Sequence, residues 1–108
     1  MELSVVTAIV RREKLAAVEI ALQELGVRGI SVSKVKGYGD YHNFYAPDQM
    51  VDNVRIEIFT RTDKSDAITA TIMNAAHTGL RGDGVVVVHP IEKFFNIRLR
   101  SEAVPDNG

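Results

Sequence analysis

The 108-residue chain contains no cysteine, no tryptophan and only three prolines. Without cysteine it has neither disulfides nor thiolate ligands for a metal, and a cysteine nucleophile is excluded. No apolar run approaches the length of roughly 18 residues that a membrane-spanning helix requires. Cationic residues are not in excess either, since 13 lysines and arginines accompany 14 acidic residues and the net charge is −1. The charge balance therefore gives no indication of nucleic-acid binding.

The composition that remains is typical of a single domain. Hydrophobic residues make up 45% of the chain and charged residues 25%, which suffices for one core. The first residues, "MELSVVTAIVRREK", do not read as a signal peptide, because Glu2 stands where a basic region is needed and the apolar run is short. We therefore expect a cytoplasmic protein that neither inserts into a membrane nor binds nucleic acid.

The hydrophobic pattern alternates between the periods of strands and helices. Four segments are apolar and β-branched, or alternate apolar with polar side chains, which is typical of strands. These segments are residues 3–10, 30–35, 54–61 and 85–88. Two other segments have apolar residues at helical spacing, the first of them with Gly26 as a stop signal. The helical positions are Leu15, Val18, Leu22, Leu25, Ala67, Ile68, Ile72 and Ala75.

The order of these elements predicts a ferredoxin-like α+β sandwich with βαββαβ topology. The segment "KFFNIRLR" (93–100) predicts an extra C-terminal strand, and the tail 101–108 is expected to be flexible. Both helices cover one face of such a sheet. Because the valines 85–88 are apolar on both sides of their strand, we expect an oligomer to bury the other face.

The stretch "HTGLRGDGVVVVHP" (77–90) places three glycines before one strand. The backbone N–H groups of a glycine-rich turn form an anion-binding concavity, and Arg81 adds a guanidinium suited to phosphate. In the alternative interpretation, Gly79 ends the helix and residues 82–84 form a simple tight turn. The stretch matches neither the P-loop nor the dinucleotide fingerprint. The pattern alone leaves both interpretations open.

Residues 37–53 separate two strands that should pair, although a hairpin needs only about two to five connecting residues. A long connection of this kind is usually functional. Its aromatic residues form either a local cluster or a docking patch for a partner. The histidines and aspartates in and near this segment follow no recognised metal-ligand spacing, so no metal site is predicted.

Four motifs, in order along nearly the whole chain, resemble those of the PII signal-transduction proteins. "VKGYG" (35–39) is similar to the strand end before that family's T-loop, and "VRIEI" (54–58) to the strand after it. The Thr-Gly-x-x-Gly-Asp-Gly motif at 78–84 resembles the family's B-loop. "HPIEKFFNIRLR" (89–100) resembles the exit of its fourth strand and its C-loop.

The resemblance implies a ferredoxin-like homotrimer that binds adenine nucleotides between its subunits and is not an enzyme. A single domain would span residues 1–100, with the T-loop at 37–53, the B-loop at 78–84 and the C-loop at 94–100. The T-loop would dock on a target such as a membrane transporter or a metabolic enzyme. Its docking residues would be Asp40, Tyr41, His42, Phe44 and Tyr45.

The resemblance also implies roles for individual residues around the nucleotide. The B-loop backbone would contact the phosphates, the glycines before the T-loop would form the opposite wall, and apolar side chains would lie near the base. Arg98 would reach phosphate from the neighbouring subunit, with Arg100 close enough to substitute for a second arginine. The full predicted set is Ile9, Ser31, Gly37, Tyr38, Gly39, Phe59, Arg81, Gly82, Asp83, Gly84, Val85, Arg98 and Arg100.

Four positions depart from the pattern of the nitrogen-sensing members of that family. Val85 stands in place of a lysine and Asn96 in place of an arginine, which removes two cations near the outer phosphates. We therefore expect ADP or AMP to bind at least as tightly as ATP. Tyr41 and Asn53 replace a glutamine and a lysine of the metal and 2-oxoglutarate site, so we expect that site to be absent.

These departures favour a divergent PII-like branch that signals energy or carbon status to a transporter or carbon-uptake system, with bicarbonate as a candidate second effector. A nitrogen-regulatory PII protein with an atypical T-loop is the alternative. An acylphosphatase-like enzyme shares the fold class, but "VRREK" (10–14) matches its phosphate loop only faintly. No catalytic triad or carboxylate pair is visible, and Asp83 is expected to order its turn rather than to catalyse.

Overall fold

The computed structural model describes residues 1–37 and 51–105, without the side chain of Val51. In these residues the chain forms β1 Leu3–Arg11, α1 Leu15–Leu25, β2 Ser31–Gly37, β3 Val51–Arg61, α2 Ser65–Ala76, β4 Gly84–Ile91, β5 Phe95–Asn96 and β6 Ser101–Glu102. A single 3-10 turn precedes each helix. No helix in the described ranges is long and apolar enough to cross a membrane.

The four long strands form one antiparallel sheet in the order β2-β3-β1-β4. The two helices pack against each other, and α2 also packs against β1. This is the ferredoxin-like α+β arrangement expected from the sequence, and the predicted fold class is confirmed. Val10 pairs with Gly84, and Arg11 pairs with Asn53. The end of β1 therefore lies between the start of β4 and the early part of β3.

The hydrophobic core lies between the helices and one face of the sheet. Every second residue of β1 from Ser4 to Val10 is buried, because side chains alternate between the two faces of a strand. The helical pattern is confirmed at its central positions, and the predicted end positions Leu15 and Ala75 are partly buried against the core. It fails at Ala67, which is exposed, and at Leu25, which is 43% exposed. The fully buried helical positions are Val18, Leu22, Ile68 and Ile72.

The two helices end in different ways. After α1, Gly26 adopts a φ of 103°, and its N–H donates to the carbonyl of Gln23 at 3.0 Å. Gly26 is thus the stop that the sequence predicts. After α2, His77 is already extended, with a ψ of 131°. Gly79 lies beyond this point, so the interpretation in which it ends the helix is wrong.

The other face of the sheet carries apolar side chains beside charged ones such as Arg55 and Glu57, and no helix covers it in the described part of the chain. Val85, Val87 and Phe59 on this face are 37%, 41% and 41% exposed. Residues that are paired across an antiparallel ladder have their side chains on the same face of the sheet. These three residues pair with half-buried residues of β1, which lie on the face away from the helices. A single chain therefore leaves in water the surface that the sequence analysis expects an oligomer to bury.

The segment predicted as a loop at 37–53 is shorter in the structure. β2 continues to Gly37 and β3 begins at Val51, because the two strands pair as far as Gly37 with Val51. Residues 51–53, which include Asn53, therefore belong to the sheet. The remaining part of the predicted loop, residues 38–50, lies outside the described residues.

The C-terminal segment also differs from the prediction. The expected strand over 93–100 is reduced to β5, which pairs with β6 in a sheet of its own. The strand stops after Asn96 because its Oδ1 accepts the N–H of Leu99 at 3.0 Å and Arg100 adopts a φ of 55°, which together form a turn. Residues 101–105 of the predicted flexible tail are folded back, with the N–H of Ala103 donating to the carbonyl of Phe94 at 2.9 Å. Residues 106–108 lie outside the described ranges.

Candidate functional site

The loop between α2 and β4 lies beside the end of β1. Its three glycines have positive φ angles of 87° at Gly79, 95° at Gly82 and 112° at Gly84. A Cβ atom on Gly84 would lie 1.8 Å from the carbonyl oxygen of Ile9, so only glycine fits there. The close approach of Gly84 to β1 fixes the end of the loop on the sheet.

The side chain of Asp83 organises this loop. Its Oδ2 accepts the backbone N–H groups of Thr78 at 2.8 Å and Gly79 at 2.9 Å. Its Oδ1 accepts the Thr78 hydroxyl and, at 3.2 Å, the Nε–H of Arg11. The hydroxyl oxygen of Thr78 also accepts the N–H of Leu80 at 3.2 Å. The geometry agrees with the expectation that Asp83 orders its own turn.

The ionisation of Asp83 follows from these contacts. Burial alone would raise the pKa of this carboxyl group, but hydrogen bonds from Thr78, Gly79 and Arg11 hold the pKa well below its usual range. A carboxylate with so low a pKa that already accepts four donors is a poor general base at neutral pH. The loop is therefore unsuited to proton transfer through Asp83.

Arg11 connects the loop to the neighbouring strand. Its Nη2 donates to the carbonyl oxygen of Arg81 at 2.7 Å while its Nε donates to Asp83. The Arg11 side chain is only 13% exposed, compared with 62% for Arg12. Arg11 is not among the residues predicted from the sequence. Only the position of Arg11 in the predicted fold could have pointed to this role. Because β1 and β4 are antiparallel neighbours, the last residue of β1 must lie beside the start of β4.

The residues predicted near the base lie on the open face of the sheet. Ile9 is the direct partner, in the β1–β4 ladder, of Val85, which stands in place of a phosphate-binding lysine, so the structure brings these two predicted residues together. Phe59 lies on the same face and packs against Phe94, with ring centroids 5.8 Å apart and planes at 54°. Ser31 is exposed at the first position of β2, which is the edge strand opposite to β4. Within one chain, Ser31 and Val85 are therefore on opposite edges.

The two predicted C-loop arginines lie in the turn between β5 and β6. Arg98 and Arg100 are both exposed. The backbone N–H of Arg100 donates to the carbonyl oxygen of Ile97 at 3.2 Å. Within residues 1–37 and 51–105, neither guanidinium group makes a hydrogen bond or an ion pair. In a single chain the structure does not join them to the glycine-rich loop.

Other predicted residues lie at or beyond the limits of the described ranges. Gly37 is the last residue of β2. The predicted wall residues Tyr38 and Gly39 and the predicted docking residues Asp40, Tyr41, His42, Phe44 and Tyr45 lie outside the described residues. Among the residues that are described, no group of three or more histidine, aspartate or glutamate side chains is placed to hold a metal ion.

A small apolar pocket of about 220 Å³ adjoins the glycine-rich loop. The residues that line it are Val10, Ile72, Met73, Ala76, His77, Asp83, Gly84, Val85 and Val86. Val10, Gly84 and Val86 belong to the helix-covered side of the sheet, whereas Ile9 belongs to the open face. The pocket is therefore not the site that the sequence analysis predicts for the base.

Comparison with known proteins places the chain in a family. The sequence model of the family described as nitrogen regulatory protein P-II matches residues 3–101. Nitrogen regulatory protein P-II of Rhizobium meliloti (strain 1021) is 34% identical over 100 residues, which cover 86% of this chain and 89% of that protein. The P-II homolog of Arabidopsis thaliana is 34% identical over 101 residues, but the chain spans only 52% of its length.

A solved structure gives the same result. The crystal structure of Arabidopsis thaliana PII bound to citrate matches with a TM-score of 0.81 and 32% identity, covering 94% of this chain and 89% of that one. The chain belongs to the P-II family of nitrogen regulatory proteins, and the resemblance seen in its motifs is confirmed. It is accordingly a regulatory signal-transduction protein of the PII class.

Proposed function

We propose that this protein binds an adenine nucleotide through the loop 78–84 and transmits the identity of that nucleotide to a target protein. The observation that carries the proposal is the organisation of the loop around Asp83. The carboxylate is occupied by internal donors, so it shapes the turn and leaves phosphate recognition to the main chain. The absence of a free base at this point also supports regulation without catalysis.

Assembly into a homotrimer completes the proposed site. Ile9 and Phe59 are apolar and partly exposed on the open face, where the flat ring of adenine would find contact and where burial against another copy is favourable. Ser31 and Val85 lie on opposite edges of the sheet, so one ligand touches both only when two subunits contribute. Arg98 and Arg100, exposed in their turn, are likewise placed to serve a neighbouring subunit.

The proposed preference for ADP or AMP over ATP rests on two missing cations. Val85 has no charge to offer an outer phosphate. Asn96 is neutral, and its side-chain oxygen is already used by the N–H of Leu99. A lost charge-assisted hydrogen bond costs about 1.5–3 kcal/mol, which is roughly tenfold or more in affinity.

Titration calorimetry with AMP, ADP, ATP and cyclic AMP tests the proposal. We expect ADP or AMP to bind at least as tightly as ATP, because the contacts to the base and the first phosphate do not depend on the missing cations. ATP bound tenfold more tightly than ADP would contradict the interpretation of Val85 and Asn96. No response to any adenine nucleotide would contradict the nucleotide site itself.

The same titrations, repeated with bicarbonate or 2-oxoglutarate, separate the two regulatory roles. Asn53 is 2% exposed within the sheet, and it provides no ammonium group for a 2-oxoglutarate site. This favours a divergent, carbon-related role over a nitrogen-sensing one, although the relatives compared above are named for nitrogen regulation. Enhancement of nucleotide affinity by bicarbonate alone is the result expected. Enhancement by 2-oxoglutarate would assign the protein to nitrogen regulation.

A further inference from the structure

We propose that Arg11 is a positioning residue for the nucleotide loop, holding it in its binding conformation from the neighbouring strand. This inference rests on the proposed nucleotide-binding function. Arg11 joins two points of the loop, the carboxylate of Asp83 at 3.2 Å and the carbonyl oxygen of Arg81 at 2.7 Å. It is largely buried, so its contacts are less screened by solvent than those of an exposed ion pair.

The glycine content of the loop explains why such a connection is needed. A segment with glycine at three of six positions, 79, 82 and 84, has many accessible backbone conformations. Ordering it when the nucleotide arrives would cost conformational entropy and weaken binding. A contact that already holds Arg81 and Asp83 in place reduces this cost before the ligand binds.

The charge of Arg11 has a second effect on phosphate. Asp83 remains ionised, and an uncompensated carboxylate beside the phosphates would repel them. The guanidinium of Arg11 lies against that carboxylate and offsets its charge. Loss of Arg11 should therefore weaken ADP more than AMP, because ADP carries the greater negative charge.

The geometry favours arginine over lysine at this position. The planar guanidinium presents Nε and Nη2 together, and here each makes a separate contact. A lysine has one nitrogen on a flexible stem, so it can neutralise Asp83 without also holding the carbonyl of Arg81. Arg11→Lys therefore separates neutralisation of charge from positioning.

The test compares adenosine, AMP and ADP as ligands of the full chain and of two variants, Arg11→Met and Arg11→Lys. For Arg11→Met we expect Kd for ADP to rise about tenfold or more, with a smaller rise for AMP. The Kd for adenosine, which has no phosphate, should change by less than about twofold. Arg11→Lys should fall between the wild type and Arg11→Met. The amide resonance of Gly79, which donates to Asp83, should shift in both variants before any ligand is added.

Arg61→Met is a matched control. Arg61 forms an ion pair with Asp63 at 2.7 Å and pairs with Leu3, at the opposite end of β1 from Arg11. Its loss should leave all three affinities unchanged. Two results would refute the positioning role while leaving the nucleotide site intact, provided that the wild type binds ADP. In the first, Arg11→Met binds ADP as tightly as the wild type does. In the second, Arg11→Met loses affinity for adenosine and for ADP to the same degree. A wild type that does not bind ADP refutes both.

Discussion

Replacing Gly84 by alanine should damage the fold itself as well as the proposed site. The new Cβ atom would lie 1.8 Å from the carbonyl oxygen of Ile9 and 2.9 Å from its carbonyl carbon. Both are backbone atoms, so no side chain can rotate away to relieve the overlap. The residue would also retain a φ of 112°, which alanine rarely adopts. β1 and β4 would have to separate by more than an ångström at this point.

The size of the effect follows from two contributions. Holding a non-glycine residue at positive φ costs about 1–2 kcal/mol. Breaking the first one or two ladder contacts between β1 and β4 costs about 1–3 kcal/mol more, because the freed groups are not all reached by water. We expect Gly84→Ala to lower the free energy of unfolding by about 2–5 kcal/mol, a large part of the about 5–15 kcal/mol typical of a domain.

Gly79→Ala is the matched control, because it shares the positive φ without the overlap. Gly79 has a φ of 87°, but the nearest atom to its added Cβ is 3.7 Å away in the side chain of His77. We expect this variant to lose only about 1–2 kcal/mol. Urea unfolding of both variants at the same chain concentration measures the difference. If the two losses in free energy of unfolding differ by less than about 1 kcal/mol, the contact between Gly84 and Ile9 is not what requires glycine at position 84.

Arg98→Ala should weaken the binding of ADP more than that of AMP in calorimetric titration, because the arginine is proposed to reach an outer phosphate. Equal losses of affinity for both ligands would contradict that role. The depressed pKa of Asp83 stabilises the folded state above the ordinary value of 3.8, and this contribution is lost as the pH falls below that value. In urea titrations between pH 6 and pH 2, the free energy of unfolding should therefore fall less steeply for Asp83→Asn than for the wild type. If it falls equally steeply for both, Asp83 makes no such contribution. Sedimentation at micromolar concentration should give a trimer, and a stable monomer would remove the inter-subunit site along with the assembly.

The strand and helix order could be predicted from the sequence because it depends on local periodicity. β1 shows strict alternation of burial, and both helices present apolar residues at helical spacing to one core. The glycine-rich loop was also recognisable, because its residue types are unusual before a strand. Its resemblance to a known family then supplied the expected ligand.

Arg11 could not be found in the same way. It is separated from Asp83 by 72 positions, and its role depends on the register that places Val10 opposite Gly84. Nothing in the local sequence distinguishes Arg11 from Arg12, yet the side chain of Arg11 is half-buried against the loop and that of Arg12 is exposed. The C-terminal strand is shorter than the segment 93–100 in which it was predicted, for a related reason. The turn formed by Asn96, Leu99 and Arg100 competes locally with extension, and periodicity does not detect that competition.

The pairing of Gly37 with Val51 has a consequence for how this protein could change in evolution. Paired residues of an antiparallel ladder lie about 5 Å apart, so residues 38–50 leave and re-enter the sheet at almost the same place. Doubling the length of a connection between two such points costs only about 0.6 kcal/mol. The connection between β2 and β3 can therefore be replaced by another of different length and sequence while the two strands stay paired.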